Sequence, residues 1–219
     1  MPTRFANRQD AGRRLAARLT EVAAGQGLPD PIVLALPPGG VPVAAEVARA
    51  LGAPLNVLIA RRIGAPGQPD AWIGAIAASD PPLFNRRALR TLGLRPRDLD
   101  ADVTRERAEL HRRERLYRHG RPAPPLEGRT VVLVDDGLTA GAAARAALRF
   151  VRRAGPARLI LAVPVCDARV ADELAPEADD LLCLHRGRYL HAVGPWYEDF
   201  REVSDREAID ILEHRRAAG

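Results

Sequence analysis

Five short, largely apolar runs recur along the chain, at Ile32–Leu36, Leu55–Ala60, Thr130–Val134, Leu159–Val163 and Asp180–Leu184. Their residues do not alternate between apolar and polar. Such runs read as strands covered on both faces, the condition of a parallel sheet. Helical patterns fall between them. Arg8–Ala24 follows the capping residue Asn7 and puts Ala11, Leu15, Leu19 and Val22 on one face. Val43–Leu51, Gly141–Arg153, Ala168–Leu174 and Asp205–Arg215 (with Ser204 as its cap) read the same way. Strand and helix in alternation predict an α/β fold, a mostly parallel open sheet flanked by helices.

Two stretches interrupt the rhythm. Arg61–Asp80 collects Gly and Pro between Gly64 and Pro69, and reads as a long loop or a short hairpin around Trp72–Ala77. Asp98–His119 is a charged helix with a narrow stripe of Leu99, Val103, Leu110 and Tyr117. Its acids, among them Asp102, Glu106, Glu109 and Glu114, interleave with arginines, which marks a solvated face and argues against nucleic acid.

Composition closes several routes. All 33 Lys and Arg residues are Arg, so neither a P-loop NTPase nor a Schiff-base enzyme fits. The net charge of +5 suits an anionic ligand. Aromatics make up only 4%, leaving Ala, Val and Leu to build the core. Cys166 and Cys183 form no C-x-x-C pair and read as reduced residues of a cytoplasmic protein. Met1–Asp10 is polar, without a signal core. No apolar run approaches the roughly 20 residues of a membrane span.

Chemistry concentrates at Val131–Gly141. The strand Val131–Val134 runs into Asp135-Asp136, then Gly137-Leu138-Thr139-Ala140-Gly141, then an Ala-rich helix. Ligands of open α/β sheets bind at the carboxyl ends of strands. Paired carboxylates there accept hydrogen bonds from vicinal hydroxyls. Glycines let the backbone approach closely, and a helix start offers free N–H groups to a phosphate. Diol-binding acids beside a phosphate cradle describe a ribose 5-phosphate site. Gly39-Gly40 after the first strand forms a second candidate anion turn, and Arg61-Arg62 a guanidinium pair suited to pyrophosphate.

With those residues in place, Val131–Ala144 resembles the phosphoribosyl pyrophosphate signature of type I phosphoribosyltransferases. Phe5–Leu19, Leu34–Leu51, Arg61–Ala77, Val131–Leu148 and Ala192–Leu212 also resemble a bacterial group of that family whose base is unassigned. The resemblance implies a core over 1–185 with a helical insertion at about 86–121, and a small C-terminal hood over 186–219. It implies that Asp135 and Asp136 hold the ribose hydroxyls and that Leu138–Ala142 wrap the 5-phosphate. Gly64–Asp70 would close over the ligand. Trp196 and Tyr197 in the hood would contact a base. Mg²⁺ would be held mainly by ligand oxygens, with no protein-built metal site. The chain would be a cytoplasmic, homodimeric enzyme of nucleotide metabolism. It would transfer ribose 5-phosphate from phosphoribosyl pyrophosphate to a nucleobase nitrogen.

Two positions depart from the family pattern. Alanines at 142–144 stand where a hydroxyl residue usually follows the loop glycine, and Pro38 stands where Arg usually precedes the paired glycines. They leave a second reading open, a sensor that binds phosphoribosyl pyrophosphate without transferring it.

Overall fold

A computed structural model describes residues 4–217. Strands β1 (Pro31–Ala35), β2 (Leu55–Val57), β6 (Thr130–Val134), β7 (Arg158–Asp167) and β8 (Asp180–Gly187) form one parallel sheet in the order β2-β1-β6-β7-β8. Alternate residues of each strand face opposite layers. Val33, Ala35, Val132, Val134, Ile160 and Ala162 point toward helices α1 (Arg8–Gln26), α2 (Gly40–Leu51) and α7 (Asp205–Ala217). Ile32, Leu34, Val131, Leu133, Leu159 and Leu161 point toward α5 (Ala142–Arg153) and α6 (Ala168–Leu174). Both layers are apolar, which is why these strands carry no polar alternation.

Local signals set the helix starts. The Asp10 N–H donates to Asn7 Oδ1 at 2.9 Å ahead of α1. Ser204 and Glu207 form a reciprocal capping box on α7, with Glu207 N–H to Ser204 Oγ at 3.2 Å and Ser204 N–H to Glu207 Oε2 at 3.0 Å. α2 starts at Gly40, ahead of the expected Val43, because Pro42 is tolerated in a first helical turn.

The stretch 61–80 corrects the sequence reading. It is a hairpin rather than a long loop, and a longer one than expected around Trp72–Ala77. Strands β3 (Ala60–Ala65) and β4 (Gln68–Ala77) form an antiparallel hairpin joined at Pro66-Gly67, where Gly67 takes a φ of 72°. β5 (Leu83–Phe84) extends it to a separate three-stranded sheet. The expected strand Leu55–Ala60 is correspondingly split, since β2 stops at Val57 and β3 begins at Ala60. Short helix α3 (Arg86–Leu92) follows, then α4 (Asp100–Arg118), which buries Leu110 and Tyr117 and lies along β3.

Cys166 is buried, Cys183 is half-buried, and both are free thiols. Among the described residues no helix is long and apolar enough to cross a membrane. Residues 1–3 of the polar start lie outside the described residues.

Candidate active site

From β1 the sheet order runs outward both ways, to β2 on one side and to β6 on the other. A crevice opens at the carboxyl ends of strands at such a switch point. There the chain forms a cavity of about 570 Å³ lined by Pro37–Gly39, Asp135–Ala140, Arg61, Arg62 and Arg113, with Arg8 and Phe200 on the side of the segment that follows β8, for which the label hood is kept.

The cradle is held by β7. Leu138 N–H donates to Val165 O at 2.9 Å, and Asp167 N–H donates back to Leu138 O at 2.8 Å. This pins one residue of the loop and lifts the next three. Among the described residues, no backbone acceptor takes the N–H groups of Thr139, Ala140 or Gly141. α5 then begins at Ala142 with Gly141 as its cap. Free donors and a helix N-terminus therefore face one place. Gly137 is required by close approach, since a Cβ there would lie 2.7 Å from Val193 Cγ1. A Cβ on Gly141 would come within 3.0 Å of Val170 Cγ1. Gly141 and Ala142 do not line the cavity, whereas Ala143 and Ala144 do.

Asp135 and Asp136 lie on its floor. Asp135 Oδ1 accepts the Asp136 N–H at 2.9 Å. Burial, then the neighbouring Asp136 charge, pushes the Asp135 carboxyl well above the usual carboxylate range. Burial also raises Asp136, opposed by the Arg8 guanidinium, whose Nε donates to Asp136 Oδ2 at 2.8 Å. The pair thus resists carrying two full charges unless something cationic or hydrogen-bonding joins it.

Gly39 lines the cavity, and a Cβ on it would meet Asp136 Oδ2 at 2.3 Å. Gly40 does not serve as expected. Its N–H is already used, donating to Leu36 O at 3.0 Å, and it does not line the cavity. Its missing side chain instead admits Val134 O, which a Cβ would approach to 2.9 Å. Pro38 lines the mouth, after a cis Pro37–Pro38 bond.

Arg61 and Arg62 both line the opposite wall. Arg61 is engaged with Glu106 of α4, through Nε at 3.0 Å and Nη2 at 2.7 Å. Arg62 stacks on Trp72, its Cζ 3.4 Å from the ring centre. Burial, then the Arg61 charge, lowers its pKa, and the Asp135 charge opposes that.

Trp196 and Tyr197 are placed elsewhere than expected. Trp196 stacks on His185 with ring centres 5.6 Å apart, and does not line the cavity. Tyr197 is 4% exposed, packs on Phe5 and Phe200, and donates its hydroxyl to Asp136 O at 2.7 Å. Burial and the Asp136 charge raise its pKa, so it remains a donor. The hood aromatic at the cavity is Phe200. Sequence reasoning missed Arg8 and Arg113, which stand far from the signature and carry no local mark.

For Mg²⁺ the donor set is modest. Among the described residues no three His, Cys, Asp or Glu converge as a metal cage. Asp135 and Asp136 offer two carboxylates, so an ion here would take its remaining oxygens from ligand and water, as Mg²⁺ commonly does.

Known proteins resemble this chain over most of its length. The family model "Phosphoribosyl transferase domain" matches residues 5–197. A Mycobacterium tuberculosis protein named "Putative phosphoribosyl transferase" is 40% identical over 209 residues, 95% of this chain and 46% of that protein. The chain therefore spans about half the length of the curated relatives it matches. The crystal structure of TT1426 from Thermus thermophilus is 40% identical, with a TM-score of 0.79 over 96% of this chain and 98% of that one. With the family model covering most of its length and close relatives sharing its fold, this chain belongs to the phosphoribosyl transferase family.

Proposed function

We propose that the protein transfers ribose 5-phosphate from phosphoribosyl pyrophosphate to a nitrogen nucleophile, a nucleobase being the acceptor class. The observation that carries this reading is one cavity combining an acid pair, free N–H groups at a helix start, and an arginine wall. The 5-phosphate would sit on the Thr139 and Ala140 N–H groups, beside the first turn of α5 at Ala143 and Ala144. Asp135 and Asp136 would accept from the ribose hydroxyls. Arg62 and Arg113 would face the pyrophosphate, with Arg61 braced by Glu106.

The acceptor nitrogen forms a bond to C1 as the bond from C1 to the pyrophosphate oxygen breaks, and pyrophosphate leaves with the electron pair. The proton displaced from nitrogen passes to solvent or product. The chain's part is positioning and electrostatics: carboxylates near the cationic sugar, guanidinium groups near the anionic leaving group. Mg²⁺, when bound, neutralises pyrophosphate oxygens.

A binding-only sensor is the second reading, favoured by Pro38, which brings neither charge nor N–H to the cavity mouth. Calorimetry with phosphoribosyl pyrophosphate and Mg²⁺, then pyrophosphate release over a panel of bases, separates the two. Transfer predicts release with at least one base. Asp135→Asn or Asp136→Asn should weaken binding about 10–100-fold, as expected for hydrogen bonds to a charged group. Binding without release for any base supports the sensor. No binding, with both Asn variants unchanged, rejects both readings.

A further inference from the structure

Arg8 lies 128 residues from Asp136 in sequence, yet its side chain reaches the floor of the cavity. It makes three contacts there. Nε donates to Asp136 Oδ2 at 2.8 Å, Nη1 donates to Arg201 O at 2.8 Å, and Cζ lies 3.9 Å from the centre of the Phe200 ring. The side chain is 9% exposed, and a cation so buried persists only when paired.

The chain around it explains how it arrives. Phe5 and Ala6 run beside the hood. Phe5 N–H donates to Trp196 O at 2.9 Å, Glu198 N–H to Phe5 O at 2.8 Å, and Asp199 N–H to Ala6 O at 3.0 Å. The hood returns a contact of its own, since the Tyr197 hydroxyl donates to Asp136 O at 2.7 Å. Both the carboxylate and the carbonyl of Asp136 are thus held from the hood side. Asp135 has no ion pair among the described residues.

We infer that Arg8 is a positioning residue of this site: it fixes the Asp136 carboxylate and couples it to the hood, leaving Asp135 as the carboxyl group freer to adjust to the ligand. The inference rests on the reading of the cavity as a phosphoribosyl pyrophosphate site. A carboxylate has about four lone-pair sites. Arg8 takes one, so Asp136 keeps capacity for a hydroxyl while losing freedom to rotate. Arg8 therefore acts through Asp136.

A double-mutant cycle tests this, using Arg8→Met, Asp136→Asn and their combination. The reading is the Kd of phosphoribosyl pyrophosphate with Mg²⁺ by calorimetry, on variants shown to be folded by thermal melts. In the native background Arg8→Met should weaken binding about 10–50-fold, and in the Asp136→Asn background less than about threefold, the non-additivity expected of coupled neighbours. Arg8→Lys, which keeps the charge but loses the planar fork, should recover part of the loss. If Arg8→Met does not fold, Arg8→Lys carries the cycle in its place. Equal losses in both backgrounds, or full binding by Arg8→Met, overturn the inference while leaving the proposed function standing. A native chain that does not bind the ligand overturns both.

Discussion

Asp135 is held where burial and the Asp136 carboxylate both oppose its ionisation. The unfolded chain releases this proton near pH 4, as an ordinary aspartate does. The folded chain releases it only at higher pH. Between those two values the folded state binds more protons, so stability falls as pH rises. Asp135→Asn removes that cost. The variant should melt higher than the native chain at pH 8, by about 2–4 °C per kcal/mol relieved. The gain should vanish below the unfolded pKa, where both states are protonated. A variant that melts lower at pH 8, with no pH trend, would mean the carboxylate is not strained. The acid pair was readable in sequence because everything that defines it is local: an apolar run, two acids and two glycines within eleven residues. Arg8 was not, because its role depends on a partner 128 positions away. Gly40 misled for a related reason. A Gly-Gly pair announces close approach, but only the fold shows that Val134 O makes the approach and that Leu36 O takes the N–H.

The elements differ in how openly they declare themselves. Strands of the parallel sheet are buried on both faces, so their composition alone gives them away. The β3–β4 hairpin does not follow that rule. Its first strand carries Arg61-Arg62 right after Ala60, with side chains that reach the cavity, and its turn concentrates Pro66 and Gly67. Polar strand residues kept for a site look like loop. The hairpin also shapes the arginine wall, because Trp72 of β4 lies under Arg62 of β3. A cation on an aromatic face at a part-exposed site contributes about 0.5–1 kcal/mol. Trp72→Ala should therefore leave Arg62 in place but less fixed, weakening inorganic pyrophosphate binding about three- to fivefold. Calorimetry with pyrophosphate and Mg²⁺ measures this. Ribose 5-phosphate, which on the proposed reading would engage the opposite side, should bind as before. Equal weakening of both ligands would show that the hairpin supports the whole cavity rather than its wall.

Across the whole molecule, the two regions that frame the cavity from above lie far apart in sequence. Phe5, ahead of α1, is fully buried between His185 of β8 and Tyr197 of the hood, with ring centres 5.3 Å from each. Its N–H and C=O bind the hood backbone on either side of Tyr197. Truncating a buried Phe to Ala costs about 3–5 kcal/mol, a large share of a stability that is typically about 5–15 kcal/mol. The cost should fall unevenly. β1 and β6 sit in the middle of the sheet and keep their own cover, whereas the hood depends on this small cluster of Phe5, Tyr197, Trp196 and Phe200. Phe5→Ala should thus speed amide exchange at Trp196, Tyr197 and Glu198 while the amides of β1 and β6 remain protected, as expected when one cooperative unit loosens first. Ligand affinity should fall with it, by about tenfold, because one hydrogen bond to the Asp136 carbonyl is lost with the loosened Tyr197. Uniform acceleration across hood and sheet would instead mean that the molecule opens as one unit, and that the hood has no independent motion through which Arg8 and Tyr197 could act.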